Sequence, residues 1–283
     1  MPRRKPLSYG DYLGLDELLG LQRLVSKPRQ HDEVLFVIAH QTYELWFKLM
    51  LNELESAISN MISGDLSEPT RLIRRVVTVQ RVLIEQLEVL ETIRPIDFVK
   101  FRSILNPASG FQSLQFRELE FISGLKDKRY IELHKGDESS YEQLLKRWDA
   151  PTLWDAFKTV LEQKGLLREP TKPRKRSRAP DEVVPQKEVE AVVEIFSEQK
   201  HTQLAELAEA LMEYDKYFWL WRNHHLAMVE RVIGGRKGTG AGVVKKTLGP
   251  YSFDPSGAAY LETTLSKRFF PVLWAARTRI HGR

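Results

Sequence analysis

The sequence predicts an all-α fold, and three observations predict it. Apolar residues recur every three or four positions over long stretches, serine, proline and glycine punctuate the ends of those stretches, and none alternates with period two long enough to propose a sheet. A chain of 283 residues, 42% of them hydrophobic, has enough apolar surface to bury a sizeable core.

From the amino terminus, DEVLFVIAHQTYELWFKLMLNELESAISNMISGD (residues 32–65) reads as a long helix ending near Gly64. In SEPTRLIRRVVTVQRVLIEQLEVLETIRP (67–95), Leu72, Val76, Val79, Leu83, Leu87 and Leu90 step by four or three, with Arg and Glu on the other face. Ser67 is placed to cap this second helix, Pro69 falls in its first turn and Pro95 lies just past its end. Shorter helices are predicted over 112–124 and from Pro151 to Gly165. The segment 165–186 holds four prolines and a basic run, and reads as a linker. A third long helix runs from about Lys187 to Ile233, continuous or broken once, and stops at Gly234-Gly235. The glycine-rich loop at about 234–256 follows, then helix over 257–280. The whole is read as one all-α domain, 1–283.

Composition removes several chemistries. There is no cysteine, hence no disulfide, no thiolate-ligated metal and no cysteine nucleophile, so any metal site must rest on His, Asp or Glu. No apolar run is long enough to span a bilayer, and the basic start MPRRKPLSYGDYL has no apolar segment behind it, which points to the cytoplasm and away from membranes. The net charge of +5 equals the five basic residues of KPRKRSR (172–178), so the rest of the chain is neutral. That run reads as a solvated linker more readily than as a nucleic-acid patch.

Two of the seven histidines, His224 and His225, are adjacent in WLWRNHHLAMVERVIGG. Neighbours on a helix point roughly 100° apart, so one site is not reached by both. His225 shares a stripe with Phe218, Trp221, Met228, Val229 and Val232, whereas His224 lies with Tyr217, Leu220 and Arg231. His225 is therefore expected inside, as a ligand or as a packed core histidine. In FVIAHQTYELWF, His40 is framed by Phe36, Tyr43 and Phe47, with the same two readings open; Glu44 and Lys48 read as an i,i+4 helix pair. Arg102 stands among Phe98, Phe101 and the small residues Ala108, Ser109 and Gly110, a setting that suits either carboxylate recognition or an internal ion pair. His31-x-Glu33 has facial-triad spacing, but in a helix that spacing aims the two apart. No metalloprotease, nucleophile-elbow or nucleotide-binding motif is present, and Gly240-Ala241-Gly242 is not a P-loop.

Five blocks, YGDYLGLDELL, HDEVLFVIAHQTYELWFK, FRSILNPASGFQSLQFRELEF, LWRNHHLAMVERVIGGRKGTG and YLETTLSKRFFPVLW, together resemble the tryptophan 2,3-dioxygenase family. The resemblance implies a helical-bundle haem protein that adds O2 across the indole C2–C3 bond of L-tryptophan, or of a substituted tryptophan, to give N-formylkynurenine. It makes His225 the iron ligand of haem b and leaves His224 without a metal role. It makes His40 the distal histidine that hydrogen-bonds the indole N–H, Arg102 the clamp on the carboxylate, and Phe36, Phe98 and Leu105 further substrate contacts. Thr239 matches the threonine that meets the amino-acid end of the substrate when the loop closes, and Ser109 and Gly110 line the distal side of the haem. Tyr9 and Tyr12 match a motif that reaches a neighbouring subunit's pocket within a homotetramer.

One block departs from the pattern. After Gly238-Thr239-Gly240 the family's serines are missing, and AGVVKKTLGPYSFDP (241–255) intervenes before SGAAYLETTL, which looks longer than the family's loop. This loop meets the amino-acid end of the substrate, so two alternatives stay open. One is an indole C3 monooxygenase on the same scaffold; the other is a haem- or nucleic-acid-binding protein without turnover.

Overall fold

The computed structural model describes residues 6–167, 184–236, 238–239 and 257–280. The basic run 172–178 and the segment 241–255 lie outside the described residues. Among those described there is no strand. The helices are α1 (Tyr9–Leu13), α2 (Leu15–Leu18), α3 (His31–Ser63), α4 (Ser67–Glu91), α5 (Pro95–Arg102), α6 (Leu114–Ile122), α7 (Lys128–Leu133), α8 (Glu138–Asp149), α9 (Leu153–Gln163), α10 (Gln186–Ser197), α11 (Thr202–Ile233), α12 (Gly257–Leu265) and α13 (Pro271–Ile280). No helix among the described residues is long and apolar enough to cross a membrane.

The three long helices, α3, α4 and α11, form the frame, and α4 packs against both of the others. Its stripe Leu72, Val76, Val79, Leu83, Leu87 and Leu90 is buried throughout. A second buried row, Ile73, Val77 and Gln80, accompanies it, and the Gln80 amide donates to the Tyr214 carbonyl of α11 at 3.2 Å. A helix gripped from two sides needs two apolar faces, whereas a surface helix needs one.

Local chemistry sets the boundaries. Gly64, at φ +90°, adopts the left-handed conformation that glycine takes without a Cβ clash, and the N–H groups of Gly64 and Asp65 return to the carbonyls of Met61 and Asn60. Ser67 does not cap α4: the Asp65 carboxylate accepts from the Ser67 and Glu68 N–H groups instead, and Ser67 is the first helical residue. The break between α10 and α11 falls at Glu198, whose extended backbone precedes a short 3-10 turn over Gln199–His201. The stretch 257–280 is two helices, because Pro271 starts a new one and Asp215 of α11 anchors that start. Helices α1, α2, α5, α7 and α8 add to those expected. Glu44 receives the Gln115 amide at 2.8 Å, with no ion pair to Lys48 among the described residues.

The start of α3 is strapped. Glu33, buried at its first turn, accepts from the Val25 and Ser26 N–H groups at 2.7 and 3.1 Å and from the Ser26 hydroxyl, while His31 points into solvent. That disposes of the His31–Glu33 metal pair. The Gln22 amide donates to the Gln41 side-chain oxygen at 2.8 Å, laying the segment before α3 along the helix that carries His40.

Candidate active site

His40 lies on α3, Arg102 at the end of α5, and His225 near the end of α11. Phe36, one turn before His40, sits 4.1 Å from its ring, centroid to centroid, and continues into Phe98 at 5.6 Å and Phe101 at 5.8 Å. The aromatic frame read around His40 is thus built from α3 and α5 together. Tyr43 turns into the core, where its hydroxyl donates to the Leu83 carbonyl at 2.5 Å.

The His40 Nδ1 lies 2.7 Å from the Phe36 carbonyl oxygen. A carbonyl can only accept, so Nδ1 carries the proton and Nε2 keeps its lone pair. Solvent reaches this ring, yet crowding protein atoms desolvate it and lower its pKa, outweighing the Phe36 carbonyl and Glu44, which raise it. His40 is a neutral acceptor at neutral pH.

His225 is half-buried and His224 exposed, as the helical phase predicts. Burial, and then the charge of His40, push the His225 pKa down to about 4, so this imidazole is also neutral. Its Nδ1 is buried with no hydrogen-bond partner among the described residues. Its ring stacks on Trp221, one turn earlier, with centroids 5.0 Å apart and planes 6° from parallel. The two histidines stand on different helices, α3 and α11.

Arg102 is half-buried; burial, then the positive charge of Arg236, lower its pKa, so an anion beside it would be favoured. Beyond it, Leu105 packs on the core, and Ser109 accepts from the Phe111 N–H while Gln112 accepts from the Ser109 N–H, closing a short turn that starts at Gly110. The Thr239 hydroxyl donates to the Ala108 carbonyl at 2.9 Å, which ties the segment after α11 to this turn. Tyr9 and Tyr12 do not join the group: they lie on α1, 76% and 73% exposed.

Support for α11 comes from residues that the sequence reading passed over. Glu120 of α6 lies between Arg117 at 2.6 Å and Arg222 at 3.2 Å, all three buried. Arg222, three residues before His225, also donates to the Thr264 and Lys267 carbonyls at 3.3 and 2.9 Å, holding the turn after α12. The usable signal was the arginine one turn from a candidate ligand in the LWRNHH block.

Two other features are separate from these residues. A cleft of about 680 Å³ is lined by Lys48, Glu55, Gln115, Glu118, Gln143 and Arg147 and includes neither His40 nor His225. Glu194, Glu198 and His201 bring ligand atoms within 4.8 Å of one another, but Lys200 already sits 2.5 Å from Glu198.

A family model described as tryptophan 2,3-dioxygenase matches residues 3–175 and 187–280. The chain belongs to the tryptophan 2,3-dioxygenase family. It is 38% identical over 281 residues to a protein of that name from a Nocardioides species, covering 97% of this chain and 95% of the relative. Its identity is 39% over 284 residues to one from Serratia proteamaculans, covering 98% and 94%, and 38% over 271 residues to one from Herpetosiphon aurantiacus, covering 96% and 97%. Residues 234–256 fall inside the second matched stretch, and residues 176–186, the second half of the segment expected as a linker, fall between the two.

Proposed function

We propose that this protein is a haem-dependent tryptophan 2,3-dioxygenase, one domain over residues 1–283, that adds both atoms of O2 across the indole C2–C3 bond of L-tryptophan to give N-formylkynurenine. The observation that carries this reading is the pair of neutral histidines, His40 on α3 and His225 on α11, in a chain of this family.

The residues present fit a haem. His225 would hold its iron: the imidazole is neutral, its Nδ1 is unsatisfied among the described residues, and the chain has no cysteine to offer instead. When bound, haem b supplies the iron chemistry by which dioxygen reacts. Ser109 and Gly110 would line its distal side.

The remaining work falls to this chain's side chains. His40, with Nδ1–H engaged by Phe36, offers Nε2 to the indole N–H and so orients the ring. Phe36, Phe98 and Leu105 supply apolar walls that exclude water. Arg102 takes the substrate carboxylate, where burial and Arg236 make a negative charge welcome. Thr239, held beside the Ala108 turn, meets the amino-acid end of the substrate. Tyr9 and Tyr12, exposed on a helix with no buried residue, would reach the pocket of a neighbouring copy in a homotetramer. The relatives' names do not favour the C3 monooxygenase or the non-catalytic reading.

The test combines two measurements. The purified protein should show a haem Soret band that His225→Ala abolishes and His224→Ala retains; the reverse pattern overturns the ligand. Turnover of tryptophan under dioxygen labelled at both atoms should give product carrying both heavy oxygens. A single label in a C3-hydroxylated product would establish the monooxygenase instead.

A further inference from the structure

We propose that Trp221 and Tyr43 are positioning residues that fix the ring plane of His225 and join it to the helix carrying His40, through the His225–Trp221 stack and the Trp221–Tyr43 hydrogen bond. The proposal rests on the reading of His225 as the haem ligand.

The contacts form one directional chain across the three long helices. Trp221 lies 6° from parallel to His225, so the imidazole cannot turn about its Cβ–Cγ bond without leaving the indole face. The Trp221 Nε1 donates to the Tyr43 hydroxyl oxygen at 3.4 Å, a long bond, and Tyr43 donates in turn to the Leu83 carbonyl of α4 at 2.5 Å. An indole N–H only donates and a carbonyl only accepts, so the direction has no alternative. The rings of Tyr43 and Trp221 also meet edge to face at 6.2 Å. On its other sides Trp221 meets Phe116 of α6 at 5.4 Å and Phe218 at 6.0 Å, which holds the indole itself in place. Tyr43 is one turn from His40 on α3. A displacement of α3 therefore reaches both histidines.

A metal-bound imidazole is oriented by groups beyond the first ligand, and that orientation affects bond strength and retention of the metal group. Here the orienting element is an aromatic face, since the Nδ1 of His225 has no partner among the described residues. Neither Trp221 nor Tyr43 is among the substrate contacts proposed above, so loosening Trp221 should act on kcat and on haem retention, with KM for tryptophan little changed.

The test uses the haem-loaded protein and reads the iron–histidine stretching band of the ferrous form by resonance Raman, together with haem release to apomyoglobin. Trp221→Leu should shift or broaden the band and speed release about tenfold or more. Trp221→Phe, which keeps a stacking face, should restore most of both. Trp221→Phe and Tyr43→Phe each remove the same hydrogen bond, so their combination should speed release no more than the larger single effect. Trp219→Phe, on the other side of α11 against Arg268, should leave band and release unchanged. An unchanged band and release rate in Trp221→Leu overturn the proposal even if the melting temperature falls. Should that variant fail to fold, additive effects of Trp221→Phe and Tyr43→Phe overturn it. A wild-type protein without a Soret band, or a His225→Ala variant that keeps one, would instead overturn the haem reading beneath it.

Discussion

His40 and His225 show how far a residue's type and phase determine its chemistry. Both are desolvated and neutral, but among the described residues only His40 has a partner that sets its tautomer, because the Phe36 carbonyl claims Nδ1–H and leaves Nε2 as an acceptor. That arrangement has a pH signature. The His40 pKa lies below the ordinary 6.5, so the acceptor is present above that value and is lost as pH falls through the lowered pKa. A profile of kcat/KM for tryptophan should therefore be level on this account down to about neutrality. It should then fall on the acid side, with that limb absent in His40→Gln. Persistence of the limb in His40→Gln would assign it to another group. In the sequence, helical phase was enough to send His225 inward and His224 outward. It could not reveal the parallel Trp221 face or the buried Nδ1, because ring planes and orphaned atoms depend on χ angles and on neighbours from other helices.

At the scale of elements, α11 is the common post for the carboxy-terminal helices. Asp215, buried, accepts from the N–H groups of Phe269 and Phe270 at 3.1 and 3.3 Å and from the Trp274 indole at 2.8 Å, fastening the start of α13. Removing the carboxylate leaves three donors unsatisfied in the interior. Asp215→Ala should cost about 2–4 kcal/mol in urea unfolding, and Asp215→Asn, which keeps one acceptor, distinctly less. Equal losses would mean that packing volume, not hydrogen bonding, dominates there. The apolar stripe of α4 was readable because it follows the 3.6-residue period. Its second buried row was not, since Gln80 is polar and its amide N–H finds its acceptor in the Tyr214 carbonyl 134 residues away. The capping of α4 was misread for a local reason: Asp65 and Ser67 are both competent caps, and the left-handed Gly64 turns the chain so that Asp65 reaches the free N–H groups.

At the scale of the whole molecule, the amino-terminal helices stand apart from the core. No residue of α1 or α2 is buried, while Leu7, Tyr9, Tyr12 and Leu19 expose more than 70% of their surface. Helices that contribute nothing to the core of their own chain should be removable without unfolding it. Deleting residues 1–20 should keep the far-ultraviolet circular dichroism per residue and the melting temperature nearly unchanged. The homotetramer proposal requires that the same deletion lower the mass measured by light scattering or raise KM for tryptophan. An unchanged mass and KM would remove α1 from the site. The straps from Gln22 to Gln41 and from Glu33 to Ser26 survive this truncation, so the environment of His40 within its own chain is kept.

The sequence by itself determined the all-α class, the three long helices, the absence of thiolate chemistry and the family, because periodicity, composition and contiguous motifs are properties of the chain in one dimension. Only the tertiary structure decided which nitrogen of His40 is free, that Glu44 bonds Gln115 and not Lys48, and that Trp221, Tyr43, Arg222 and Glu120 support the helix of His225. Each of these depends on groups brought together from separate helices. Hydrogen-bond direction and ring stacking act over a few ångströms, and only packing sets which groups come within that range.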